Sequence, residues 1–178
     1  DELIAFDSPN YPALGEAGVQ IVIRDTVVRK AGESLKLSKF EPKQIAVLKI
    51  FPGIQFEIFE NILTENLKGI VFEAFGTGNI PESGDALHRV LEKAEKNGTV
   101  IVVCTQCLRG SAMIGAYAAS LSFAKAGAVS GYDMTVEAAV TKLYYLLSMN
   151  YDLETVKKLM GTDLRGEMSP PQSGKGTA

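Results

Sequence analysis

The chain has 178 residues, of which 46% are hydrophobic and 22% charged, values typical of a globular protein with one main domain. The formal net charge is -3 and there is no basic cluster, which argues against nucleic acid as the main partner because phosphate binding needs concentrated Lys and Arg. No apolar run approaches the roughly 20 residues that a bilayer-spanning helix needs, and the N-terminal segment lacks the basic and apolar regions of a signal peptide. We therefore expect a cytoplasmic protein that binds neither nucleic acid nor a membrane.

The metal-ligating and thiol residues are few. Two cysteines and one histidine cannot supply four ligands to a structural zinc ion, so we predict neither metal nor cofactor. Cys104 and Cys107 form a CTQC motif, but Cys104 ends a predicted strand rather than beginning a helix, which favours a non-redox pair. His88 falls in the middle of a predicted helix on its solvent side and is interpreted as a surface residue.

The chain divides into three predicted parts. Residues 1–40 are interpreted as an interdomain linker with a short edge hairpin, and within them the β-rich segment 20–28 indicates a short hairpin or an edge strand. Residues 41–168 are predicted to form one α/β domain, and residues 169–178 a flexible tail.

Short apolar runs alternate with helical patterns along the predicted domain. Strands are predicted at 45–50 (IAVLKI), 69–75 (GIVFEAF), 100–104 (VIVVC) and, more briefly, 128–130. Helices are predicted at 54–63, 82–97, 117–126, 135–148 and 153–160. Strands that are apolar on both faces indicate a parallel sheet covered on both sides. The predicted fold class is α/β, a small doubly wound parallel sheet of about four strands with helices on both faces, flavodoxin-like or Rossmann-like.

The loops after the predicted strands gather at one edge of such a sheet, where ligands bind. The loop in EAFGTGNIP, residues 73–81, supplies Gly76 and Gly78 but has Pro81 where the dinucleotide fingerprint requires a third glycine. No Gly-Lys-Ser/Thr follows, so a P-loop is also excluded. What this loop presents is Asn79, a neutral amide with two donors and an acceptor.

Two segments with candidate catalytic residues are interpreted structurally. Asp133 and Thr135 precede a long predicted helix and are expected to act as N-caps. The GTDL segment at 161–164 follows a predicted helix and is explained by turn chemistry. The sequence has no G-x-S-x-G elbow and no HExxH motif, and we find no nucleophile with an adjacent base.

Five ordered segments together resemble the C-terminal domain of the cytosolic, type I L-asparaginases, over residues 6–171. They are KIFPGI (49–54), EAFGTGNIP (73–81), CTQCLRG (104–110), AGAVSGYDMTVEAAVTKLYYLL (126–147) and LRGEMSPP (164–171). The resemblance implies part of an enzyme that hydrolyses L-asparagine to L-aspartate and ammonia without a cofactor, as a homodimer or homotetramer. The family's catalytic threonines and Asp-Lys pair belong to an N-terminal domain whose TGGT and HGTDT motifs this sequence lacks. No catalytic residue is therefore assigned here, and the isolated chain is expected to be inactive.

The same resemblance assigns binding residues. Asn79 is expected to reach the active site of a neighbouring subunit, and Tyr117 occupies the position where relatives outside type I carry a substrate-binding glutamate. Thr105 and Cys107 match a pocket in which some bacterial relatives bind a second asparagine as an activator. Glu73 replaces that pocket's arginine, so an effector carboxylate would meet a like charge, and we expect no such activation.

Two alternatives remain open from the sequence. The chain is a stand-alone module that binds a small amino acid or a partner protein, or it belongs to the archaeal tRNA-dependent amidotransferase subunit, which shares this architecture. The absence of a basic surface and the segments CTQCLRG and LRGEMSPP favour the free amino acid as substrate over the tRNA-linked one.

Overall fold

A computed structural model describes residues 7–30, 32, 34–81, 85–115 and 120–169. Contacts divide the chain into two units, one extending to Ser38 and the other beginning at Lys39. The proposed boundaries at residues 40 and 168 remain predictions, and most of the predicted tail lies outside the described residues. No helix in the described ranges is long and apolar enough to span a membrane.

In the first unit, β1 (Gly15–Ala17) and β2 (Ile21–Ile23) form an antiparallel hairpin. The segment 20–28, predicted as a short hairpin or an edge strand, supplies only the second strand of this hairpin, whereas the first strand lies upstream and residues 25–27 form a turn. The Arg24 guanidinium forms an ion pair with the Glu16 carboxylate across the hairpin. All three apolar side chains of β2 are exposed, so the hairpin builds no core of its own.

The second unit contains the parallel sheet. Its strands are β3 (Gln44–Lys49), β4 (Leu67–Ala74), β5 (Val100–Thr105) and β6 (Val129–Ser130), paired in that order and all parallel. The β4 and β5 strands are buried over most of their length, as expected for central strands covered on both sides. This confirms the predicted four-stranded α/β fold.

Helices cover both faces of the sheet. On one face lie a 3-10 turn (Phe56–Phe59), α1 (Ala86–Lys96) and α2 (Leu121–Lys125), and Phe72 of β4 packs edge-on against Phe123 of α2 with ring centroids 5.0 Å apart. On the other face lie α3 (Val136–Ser148) and α4 (Leu153–Met160). A Cβ at Gly69 would lie 2.6 Å from Leu143 Cδ2, so the close approach of α3 to β4 requires glycine there.

The helix predicted at 54–63 is wrong. Only the 3-10 turn Phe56–Phe59 forms in that segment. Phe56 is fully buried whereas Ile58 is 60% exposed, so the apolar side chains of this segment do not all face the core. The segment contains enough apolar side chains for a helix, but those that reach the core do so from an irregular backbone.

The capping prediction is half right. Thr135 is the N-cap of α3, and its hydroxyl accepts a hydrogen bond from Ala138 N at 3.2 Å. Asp133 does not cap the helix, because its carboxylate instead accepts from Ser169 N at 2.7 Å. Asp133 thus fixes a segment that is distant in sequence, which local spacing cannot reveal.

The interpretation of GTDL as a turn is confirmed. The Thr162 hydroxyl donates to Lys158 O at 2.8 Å, and the Asp163 carboxylate accepts from Gly166 N at 2.7 Å. Thr162 thus satisfies a carbonyl in the last turn of α4, and Asp163 satisfies a backbone N–H in the segment that follows.

Candidate functional site

The loop after β4 is closed by its own backbone. Phe75 N donates to Asn79 O at 2.9 Å and Asn79 N to Phe75 O at 2.8 Å, so the two residues pair as a small antiparallel bridge. The chain reverses between them because Gly76 and Gly78 have φ angles of +50° and +112°. We call residues 75–79 the glycine turn.

The Asn79 side chain projects from the end of the glycine turn and is exposed. In the part of the chain that the structure describes, its amide makes no hydrogen bond to another residue. Among the described residues, the two donors and one acceptor of this amide are therefore left unpaired at the carboxyl edge of the sheet.

The loop that follows β5 supports the glycine turn from the side. Met113 N donates to Thr77 O at 2.9 Å, which joins the two loops directly. The same loop is held by bonds from Ala112 N to Tyr132 O at 2.8 Å and from Ile114 N to Ser130 Oγ at 3.0 Å. The turn is thus supported by the fold around it.

Gln106 in this loop is a residue that the sequence analysis missed. Its side-chain amide donates to Ile50 O at 2.6 Å and to Glu73 O at 2.8 Å. Its backbone N donates to Ala74 O at 2.9 Å. The partners are 56 and 33 residues away along the chain for the two side-chain bonds, so no local signal could have found them.

The two thiols of the CTQC motif are both free and have different environments. Burial, reinforced by the nearby negative charge of Glu73, raises the pKa of the Cys104 thiol to about 12. Cys107 is exposed and its backbone N donates to Thr105 Oγ1 at 3.1 Å. A buried thiol that resists ionisation does not suit thiol-disulfide chemistry, in agreement with the non-redox interpretation.

The three predicted effector-pocket residues are not joined into one cluster by hydrogen bonds. The Glu73 carboxylate lies 3.1 Å from the Lys49 ammonium on the neighbouring strand. In the sheet register Glu73 is beside Cys104 and Thr105 is beside Ala74, so Glu73 and Thr105 occupy alternate faces. Thr105 and Cys107 are linked to each other, as described above. Tyr117, the other predicted binding residue, lies outside the described residues.

Lys142 and Glu167 form a buried ion pair that the sequence analysis also missed. Burial alone would raise the pKa of Glu167, but hydrogen bonds from Lys142 and from the backbone N–H groups of Leu164 and Arg165 lower it to about 2. A lysine in a mostly apolar helix is usually read as solvent-facing, and only the packing of α3 against the segment after α4 reveals its role.

The remaining polar groups show no catalytic cluster among the described residues. His88 is on the surface of α1, as predicted, and its Nε2 lies 3.3 Å from Glu92. Within the described ranges no three His, Cys, Asp or Glu residues are grouped so as to hold a metal ion. In the described part of the chain, the candidate site is therefore the exposed Asn79 amide at the carboxyl edge of the sheet.

Comparison with known proteins decides the family. The sequence matches the family described as "Glutaminase/Asparaginase C-terminal domain" over residues 44–160. The chain belongs to this family. It is 41% identical to L-asparaginase 1 of Escherichia coli K12 over 171 residues, which cover 96% of the chain and 50% of that protein. This asparaginase C-terminal domain is also 44% identical to a mouse (Mus musculus) 60 kDa lysophospholipase, over 94% of the chain and 30% of that protein.

A solved structure gives the same assignment. L-asparaginase I of Vibrio cholerae superposes with a TM-score of 0.81 at 39% identity, covering 93% of the chain and 50% of that structure's chain. The chain thus spans about half the length of these two asparaginases. The resemblance to the C-terminal domain of a type I asparaginase is confirmed.

Proposed function

We propose that this chain is the non-catalytic half of an enzyme that hydrolyses L-asparagine to L-aspartate and ammonia in the cytoplasm. It completes the substrate pocket and the subunit interface of a homodimer or homotetramer, while the nucleophile belongs to an N-terminal domain. Asn79 is the residue that binds substrate. Because an amide carries no charge, it contacts the substrate without perturbing a nucleophilic threonine nearby.

The observation that carries this proposal is the exposed Asn79 amide at the end of a rigidly closed turn. The turn is held by two mutual backbone bonds between Phe75 and Asn79 and by the bond from Met113 N to Thr77 O. A side chain with no partner among the described residues, on such a support, is prepared to contact a group supplied by another polypeptide. Tyr117 is proposed as a second contact to the same substrate.

The chemistry of the described residues supports a division of labour. A hydroxyl or thiol nucleophile needs an adjacent base or a lowered pKa, whereas Cys104 is buried with a raised pKa and His88 pairs with Glu92. In this proposal the chain contributes binding and assembly, and bond cleavage takes place on residues elsewhere.

The proposal is tested by mixing the chain with an asparaginase N-terminal domain and measuring ammonia released from L-asparagine. Restored turnover that falls by about 10- to 100-fold in Asn79→Ala, the loss expected for one hydrogen bond to a charged substrate, would support it. Asn79→Gln keeps the amide and serves as the conservative variant. Turnover that is restored but unaffected by Asn79→Ala would contradict the role of this residue.

The two alternatives are outcomes of further titrations. Micromolar binding of asparagine or aspartate by the isolated chain, measured by calorimetry, would favour a stand-alone binding module. Release of ammonia only in the presence of a charged tRNA would favour the amidotransferase subunit. The free amino acid remains the proposed substrate because the sequence carries no basic cluster to bind RNA.

We also propose that the intact enzyme is not activated by a second asparagine. Glu73, Thr105 and Cys107 are interpreted as the remnant of an effector pocket in which Glu73 would repel the effector carboxylate. The carboxylate of Glu73 is already paired with Lys49. A hyperbolic dependence of rate on asparagine concentration is expected, and a sigmoidal one would contradict this proposal.

A further inference from the structure

Gln106 makes an unusual set of contacts at the base of the glycine turn. Its side chain donates to the carbonyl of Ile50, just after β3, and to the carbonyl of Glu73, near the end of β4. Its backbone N donates to Ala74 O, the last carbonyl before the turn. One residue therefore contacts both residues that precede Phe75, where the turn begins.

These bonds join three strand ends. Ile50 N donates to Glu73 O at 2.9 Å, so the Glu73 carbonyl accepts from both Ile50 and Gln106. Since Gln106 directly follows β5, its amide connects the carboxyl ends of β3, β4 and β5. The glycine turn projects from the middle one of these three strands.

The turn has a second support from the same loop. Met113 N bonds to Thr77 O at 2.9 Å, so the loop that begins with Gln106 contacts the glycine turn both at its base and near its tip. Asn79 itself has an exposed side chain that nothing in the described part of the chain orients directly. Its direction depends on the backbone of the turn and hence on these supports.

We infer that Gln106 is a positioning residue that fixes the direction in which the Asn79 amide is presented. This inference rests on the proposed function for its effect on catalysis. The structural part of the inference, that Gln106 holds the glycine turn, is independent of the proposed function. Positioning within about half an ångström decides whether a hydrogen bond to a reacting substrate forms.

The test uses Gln106→Met, which keeps the length of the side chain and removes its donors. A matched control is Asn97→Leu, since the Asn97 amide also donates to a backbone carbonyl, that of Leu63 at 3.1 Å, but at the end of α1. In the chain as it stands, hydrogen exchange of the Gly78 and Asn79 amides should become about tenfold faster in Gln106→Met. The same amides should exchange at the original rate in Asn97→Leu.

The second arm is a double-mutant cycle in the intact enzyme that contains this chain. Gln106→Met should lower kcat/KM about tenfold in the presence of Asn79 and have no further effect in Asn79→Ala. If Gln106 had a merely structural role, its substitution would lower kcat/KM equally with Asn79 present and in Asn79→Ala. The Asn97→Leu control is expected to behave in that way. Additive losses would overturn the inference, and so would unchanged exchange at the turn. Faster exchange together with full activity of Asn79→Ala would overturn the proposed function and still support the holding of the turn by Gln106.

Discussion

The ammonium group of Lys142 lies 2.6 Å from the carboxylate of Glu167, and their side chains are only 5% and 15% exposed. Lys142 also donates to Met160 O at 3.1 Å and to Thr162 O at 2.6 Å. This one side chain therefore joins the middle of α3 to the end of α4 and to the segment after it. The charge is buried, paired and hydrogen-bonded, as a buried lysine must be.

Replacing Lys142 by Met should lower the free energy of unfolding by about 3–5 kcal/mol, because it leaves the Glu167 carboxylate largely buried without its partner. Lys158→Met on the exposed side of α4 is the control, with an expected change of about 0.5 kcal/mol or less. Urea denaturation of the wild-type chain and of the two variants measures both changes in the free energy of unfolding. Equal losses in the two variants would show that the buried pair contributes nothing specific.

Glu167 should make the free energy of unfolding depend on pH in the acidic range. Its pKa is lowered from 4.5 to about 2 in the folded protein, so the stabilisation is present above the unfolded pKa and is lost as the pH falls from about 4.5 towards 2. The free energy of unfolding of the wild-type chain should fall over this window, and Glu167→Gln should flatten that part of the profile. A variant whose profile ran parallel to wild type would contradict the assignment of the low pKa to Glu167.

The strands could be predicted from the sequence because their signal is local. Each of the segments 69–75 and 100–104 is an apolar run long enough for a strand, and the structure places a strand over nearly the same residues. Residues 54–63 are equally apolar but form only a short 3-10 turn, because which side chains reach the core depends on the sheet beneath them.

The candidate site was only partly visible for the same reason. The exposed position of Asn79 follows from two glycines in a loop after a strand, which the sequence displays directly. The contacts of Gln106 and the pairing of Lys142 with Glu167 join residues far apart in sequence.

The two cysteines should react very differently with an alkylating reagent. Iodoacetamide at pH 8 should modify Cys107 in the native chain and leave Cys104 unmodified, because burial and the charge of Glu73 keep the Cys104 thiol protonated. Mass spectrometry of the peptides locates the label, and Cys107→Ser provides the control without a native target. Rapid native labelling of Cys104 would show that its surroundings open to solvent.

Gly78 should not tolerate a side chain. Its φ of +112° is outside the range that L residues adopt easily, so Gly78→Ala should cost about 1–3 kcal/mol of stability. Gly161 ends α4 with a φ of -83° and a Cβ there would meet nothing closer than 3.7 Å, so Gly161→Ala should be nearly neutral. Thermal unfolding of the wild-type chain, Gly78→Ala and Gly161→Ala compares their stabilities. A neutral Gly78→Ala would mean that the turn accepts another conformation.

The central claim is that this chain presents a binding amide and that bond cleavage occurs on another polypeptide segment. Ammonia release from L-asparagine by the purified chain alone tests it most directly. The expected rate is indistinguishable from that of buffer. Turnover at an enzymatic rate, about 1 per second or faster, would contradict it and would require a nucleophile within these residues.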